Sequence, residues 1–124
     1  MSSLADSMQV IREVDVTGDG KIFKKVYEEG SGDVVGNGVK VDVHYRGTFD
    51  DGSQFDCSYS KDPLSFTTGA GQVIKGWDQG VATMKKGEKA ALAIHSDYGY
   101  GDNGHPPIIP AKATLHFDVN LVNF

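Results

Sequence analysis

One cysteine, Cys57, is all the thiol that a chain of 124 residues carries. An internal disulfide is excluded, no Cys/His spacing resembles a zinc site, and a reducing compartment is the natural setting. Basic charge is scarce as well. Twelve Lys and Arg against 17 Asp and Glu leave a net charge of −5, with Lys24-Lys25 and Lys85-Lys86 as the adjacent basic pairs. Nucleic acid therefore meets no electrostatic footprint. Long apolar runs are missing, the longest being Ala90 to Ile94, and Met-Ser-Ser-Leu-Ala-Asp-Ser at the start has neither a basic nor an apolar signal region. The C-terminal Leu-Val-Asn-Phe has no lipidation cysteine. Export and membrane attachment are thus not expected, and the chain reads as cytoplasmic.

What is present describes one globular domain. The length suits a single unit, and 39% hydrophobic with 23% charged residues is ordinary for one. Glycine is the excess: sixteen of 124, against an ordinary usage of about 7%. Without a period, such glycine points to tight turns between short strands.

Residues 1–8 are small and polar and are expected to be disordered. Val10, Val14 and Val16 suggest a short strand over Gln9–Val16, and Thr17-Gly18-Asp19-Gly20 a turn into a second strand over Lys21–Glu29. Val39, Val41, Val43 and Tyr45 alternate with Lys40, Asp42, His44 and Arg46, the period of a half-buried strand. Asp51-Gly52 predicts a hairpin turn, and strands follow at Ala90–Ile94 and Thr114–Val122. The spacing of Trp77, Val81 and Met84 predicts a helix over Ile74–Lys86, with Lys85 and Lys86 in its last turn and Gly87 as its cap. The fold class is α+β: a half-open antiparallel sheet of about five strands wrapped around one short helix, with an extra N-terminal strand available at its edge.

Catalytic motifs are mostly missing. There is no Gly-x-Ser-x-Gly, and Gly69-Ala70-Gly71 lacks the Lys-Ser/Thr of a phosphate loop. His44, His95 and His116 read as solvated strand residues and Cys57 as an inert thiol. What stands out instead is aromatic and branched residues on irregular chain, in Tyr98-Gly99-Tyr100-Gly101 and Gly104-His105-Pro106-Pro107-Ile108-Ile109-Pro110. Such side chains either cover a core or line a pocket.

These blocks carry a resemblance. Val43-His44-Tyr45-Arg46-Gly47, Asp51-Gly52-Ser53-Gln54-Phe55-Asp56, Gly71-Gln72-Val73-Ile74-Lys75-Gly76-Trp77, Met84-Lys85-Lys86-Gly87-Glu88 and the two Gly-rich loop segments occur in this order, followed by Ala113-Thr114-Leu115-His116-Phe117-Asp118-Val119. Sequence and order resemble the FKBP family of peptidyl-prolyl cis/trans isomerases over residues 21–124, leaving residues 1–20 as an N-terminal extension. The resemblance implies an apolar pocket between helix and sheet and isomerisation of X-Pro bonds in peptides and proteins, assisting folding. It assigns catalytic roles to Tyr45, Phe55, Asp56, Trp77, Tyr100 and Phe117, with Trp77 as the floor. Substrate and inhibitor contacts extend to Leu64, Gln72, Val73, Ile74, His105, Ile108 and Ile109, the Ile74 backbone N–H among them. Tacrolimus and rapamycin are the implied inhibitors, with ternary protein partners for their complexes. No cofactor or metal is implied, and the chain is expected to be a monomer. A non-catalytic module using the same pocket to hold proline-containing partners is the runner-up reading.

Three positions depart from the family pattern. Leu64 stands where an aromatic residue is common, the segment between Cys57 and Pro63 is one residue shorter, and Pro107 replaces a frequent glycine.

Overall fold

The structure is a computed structural model that describes residues 9–59 and 61–124. The expectation of disorder over residues 1–8 lies outside them. In chain order the elements are β1 (Arg12–Asp15), β2 (Ile22–Glu28), β3 (Ser31–Val34), β4 (Lys40–Thr48), β5 (Gln54–Cys57), β6 (Leu64–Thr67), α1 (Lys75–Val81), β7 (Lys85–Lys86), β8 (Lys89–Ile94) and β9 (Leu115–Asn123). The main sheet runs β1-β2-β8-β9-β4-β5, with β6 also pairing β4, and every pairing is antiparallel. A separate two-stranded piece joins β3 to β7.

The period-two segments become the centre of the sheet. β4 and β9 alternate strictly between buried and half-exposed positions over most of their length, and they lie side by side with Tyr45 opposite Val119. Val41, Val43, Tyr45, Leu115, Phe117, Val119 and Leu121 thus share one face and form the core with Leu92 and Ile94 of β8. Burying that face is what drives the strands together. The α+β expectation holds, as an antiparallel sheet over one short helix. At the other edge β1 pairs β2, and the turn between them is closed by the Asp15 carboxylate, which accepts the N–H groups of Gly18 and Gly20 at 3.0 Å each.

The helix is shorter than its apolar spacing suggests. α1 ends at Val81, and the Thr83 N–H and hydroxyl both donate to the Gly80 carbonyl, at 3.2 and 2.7 Å. Met84 is fully buried, but it reaches the core from the turn beyond the helix. Lys85 and Lys86 are strand residues opposite β3, and Gly87, at φ +85°, turns the chain from β7 into β8. The physical cause is Glu88. Its buried carboxylate accepts the Lys85 N–H at 3.2 Å and its own N–H donates to the Lys85 carbonyl, a local turn that competes with helix. The strands are also more numerous than expected, nine among the described residues with seven of them in the main sheet, because β3, β6 and β7 are too short for a period to show.

Close approach of α1 to the sheet depends on glycine at one face. A Cβ at Gly76 would stand 2.5 Å from the Ile94 side chain, so the helix could not seat Trp77 this deeply with any larger residue there.

Candidate active site

Trp77 is 3% exposed and sits at the centre of a cluster of rings. Tyr45 from β4 meets it edge-on at 4.8 Å between centroids, and Phe117 from β9 does so at 5.1 Å. Phe66 from β6 lies at 5.9 Å, and Phe55 from β5 extends the set by meeting Phe117 at 5.6 Å. Such near-perpendicular pairs place the positive edge of one ring on the negative face of another. Three strands therefore bring rings onto the one indole of the helix, and a fourth adds Phe55 behind Phe117.

A cavity of about 190 Å³ opens above this cluster. The buried Trp77, Phe117 and Tyr45 lie at its base, Phe55, Asp56, Gln72, Val73 and Ile74 line it further, and the exposed Leu64 and Tyr100 stand at its rim. All ten were singled out in the sequence. The structure places the remaining three elsewhere. Ile109 is buried in the core, His105 stands outside the lining with its ring 5.5 Å from that of Tyr100, and Ile108 points to solvent at 57% exposure. The cause is a tight turn: the His105 and Ile109 backbones exchange hydrogen bonds at 2.8 and 2.9 Å, which turns Ile109 inward and Ile108 outward.

The polar part of the site is small. Tyr45 donates its hydroxyl to Asp56 Oδ2 at 2.5 Å, while Asp56 Oδ1 accepts the Cys57 N–H at 2.8 Å. Burial, and then the bond to Asp56, push the Tyr45 phenol well above its ordinary value, so it stays protonated as a donor. The Tyr45 backbone is itself held by Ser58, a buried residue the sequence gave no reason to notice. The Tyr45 N–H donates to Ser58 Oγ at 2.7 Å, and the Ser58 N–H donates to the Tyr45 carbonyl at 2.9 Å. His44 Nδ1 also lies 2.8 Å from Ser58 Oγ, and its ring stacks on Tyr59 at 5.1 Å. His44 is thus half-buried and partnered, contrary to the expectation of a solvated residue. An outward strand position does not reveal a neighbour that folds over it.

Elsewhere, a wider hollow lies on the opposite face of the sheet, among Phe23, Tyr27, Ala91, Ala93 and the His116–Asp50 pair. Phe23, Tyr27 and Phe49 supply its rings, and Trp77 lies outside it. Among the described residues, no group of three or more His, Cys, Asp or Glu side chains could hold a metal, and no helix is long and apolar enough to cross a membrane.

A family model described as FKBP-type peptidyl-prolyl cis-trans isomerase matches residues 32–122. The chain belongs to this family. Among FKBP relatives, the peptidyl-prolyl cis-trans isomerase Fkbp12 of Drosophila melanogaster is 47% identical over 106 residues, covering 85% of this chain and 88% of that protein. FK506-binding protein 1A of Aspergillus fumigatus is 47% identical over 116 residues, covering 93% and 94%. In the crystal structure of AtFKBP13 the same fold recurs, with a TM-score of 0.79 at 33% identity over 82% of this chain and 91% of that one. The chain is accordingly a peptidyl-prolyl cis-trans isomerase of the FKBP type.

Proposed function

We propose that the Trp77 cavity is where this FKBP-type enzyme isomerises X-Pro bonds. One observation carries the reading: a ring-walled cavity of about 190 Å³ whose polar groups are the Tyr45–Asp56 pair, the Gln72 amide and the Tyr100 hydroxyl at the rim. That equipment is poor for bond breaking and sufficient for bond rotation.

Twisting an X-Pro amide destroys its resonance against a barrier of about 18 to 20 kcal/mol, and unaided it takes tens to hundreds of seconds. No covalent bond is made, so the enzyme needs only to hold the twisted amide better than the planar one. A millionfold acceleration requires about 8 kcal/mol of such preference. The planar amide has the greater charge separation, and transfer from water to an apolar cavity penalises it more. In this account the proline ring rests on Trp77 between Tyr45 and Phe117. The Ile74 N–H and the Tyr100 hydroxyl orient the peptide carbonyls. Asp56 orients through its bond with Tyr45 and transfers no proton.

Tacrolimus and rapamycin bind in the same cavity. Its size takes one ring of a macrolide, so the rest of the macrocycle lies on the rim at Leu64 and Tyr100, where a second protein can meet it. The enzyme works as a cytoplasmic monomer on proline-containing chains, consistent with its unpaired Cys57. Residues 21–124 form the isomerase domain, and residues 1–20 are an extension.

Following Trp77 fluorescence while tacrolimus is added tests the site, since Trp77 is the sole tryptophan. A saturable change together with loss of activity on a Leu-Pro peptide supports the reading. Binding without any activity would leave a proline-holding module instead.

A further inference from the structure

The stretch that carries Gln72, Val73 and Ile74 into the cavity wall has no regular structure, lying between β6 and α1. Side chains hold it where a ladder would otherwise do so. The Thr67 N–H donates to Gln72 Oε1 at 2.8 Å, and the Gly71 N–H donates to Asp78 Oδ2 at 3.0 Å. The Asp78 and Trp77 N–H groups in turn donate to the Ile74 carbonyl, at 3.2 and 3.0 Å. Asp78 therefore touches the stretch at both ends, by side chain at Gly71 and by backbone at Ile74.

Asp78 has no place in the mechanism above, yet its situation is costly. It is 9% exposed, and its Oδ1 has no hydrogen-bond partner among the described residues. A carboxyl group buried with one oxygen unmatched is disfavoured, and an apolar residue on this buried side of a helix would be the more stable choice. Gly71 shows what the carboxyl group does there. It lies at a φ of +73° between the Thr67–Ala70 turn and the cavity wall, and its N–H is taken by the Asp78 carboxylate.

We propose that Asp78 is a positioning residue for the isomerase site: by holding the Gly71 N–H it fixes the wall of Gln72, Val73 and Ile74 against the adjacent Trp77. The role rests on the Trp77 cavity being the isomerase site. Asp78 touches no substrate in this account. It sets the distance between the wall that offers the Ile74 N–H and the floor that carries the proline ring, and small errors there are expensive in rate.

The test measures amide exchange at Gly71 and kcat/KM on a Leu-Pro peptide in the full chain, at a temperature where each variant is folded by circular dichroism. Asp78→Ala should exchange Gly71 about tenfold faster and lose about tenfold in kcat/KM. Asp78→Asn, which retains an oxygen acceptor, should recover most of both losses. Val26→Ala, a buried β2 change outside the cavity lining, should lower stability without moving either readout. If Asp78→Ala does not fold, Asp78→Glu, which displaces the oxygens by one methylene, is read in the same way. Unchanged Gly71 exchange overturns the brace, and faster exchange with unchanged kcat/KM overturns the positioning role. An inactive wild type would instead overturn the isomerase reading, and Gly71 exchange would still show whether the brace exists.

Discussion

Lys24 Nζ lies 2.8 Å from Glu88 Oε2, and the two side chains are 1% and 0% exposed. The ammonium also donates to the Thr83 carbonyl at 3.2 Å, just past the end of α1, and Arg12 of β1 approaches Glu88 Oε1 at 3.9 Å. The pair ties β2 to the turn that follows the helix. Removing one partner strands the other charge in the core, so Lys24→Met or Glu88→Gln should each cost about 3 to 5 kcal/mol in urea unfolding. The double variant Lys24→Met/Glu88→Leu should recover much of that loss. Single variants costing under about 1 kcal/mol, as for exposed pairs, would show that water reaches the site.

Stability in alkali should depend on Tyr45. Its phenol has a pKa above the ordinary 10.0, through burial first and then through its bond to Asp56. The fold favours the protonated form. That contribution is fully present below about pH 10 and is lost as pH rises from there through the raised folded value. The urea midpoint of the wild type should therefore fall more steeply between about pH 9 and 11 than that of Tyr45→Phe. Parallel slopes would mean that Tyr45 ionises as freely folded as unfolded.

The two polar contributions to the cavity should be unequal. Asp56 is exposed and accepts a hydrogen bond from a buried phenol, whereas Tyr100 offers a hydroxyl from a ring that is 40% exposed. Bonds to charged groups are worth about 1.5 to 3 kcal/mol and neutral ones about 0.5 to 1.5. Asp56→Val should therefore lower kcat/KM about tenfold or more, and Tyr100→Phe about two- to fivefold, with circular dichroism unchanged in both. Wild-type rates in both would leave the apolar cavity acting alone.

Gly47 tests the aromatic wall. A Cβ there would stand 2.7 Å from Phe55 and 2.9 Å from Phe117. Gly47→Ala must push those rings apart and should cost about 1 to 3 kcal/mol of stability. Activity should fall with it, because both rings line the cavity. Full activity at reduced stability would show that the rings move without reshaping the site.

Much of this arrangement was legible in the residues. The alternation in β4 and β9 marks their buried faces directly, and nine of the ten cavity residues were named from the motif blocks that contain them, with Leu64 named as a departure from the family pattern. The helix end was not legible, since Met84 keeps the helical spacing while Glu88, a residue with no apolar signature, turns the chain. The Lys24–Glu88 pair, Ser58 behind Tyr45, and Asp78 beneath Gly71 escaped for a shared reason. Each is a polar side chain whose partner is distant in sequence or lies across a loop, and no local period records it. Ile109 followed its motif into the core because the turn at His105 decides which of two neighbouring isoleucines faces inward.

The most direct measurement is the cis/trans exchange rate of a Leu-Pro peptide, followed by NMR line shape or by protease coupling, with catalytic amounts of the chain. The account predicts exchange accelerated far above the unaided tens to hundreds of seconds, abolished by stoichiometric tacrolimus and strongly reduced by Trp77→Ala in chain that remains folded. Exchange at the uncatalysed rate, with tacrolimus still bound, would contradict it.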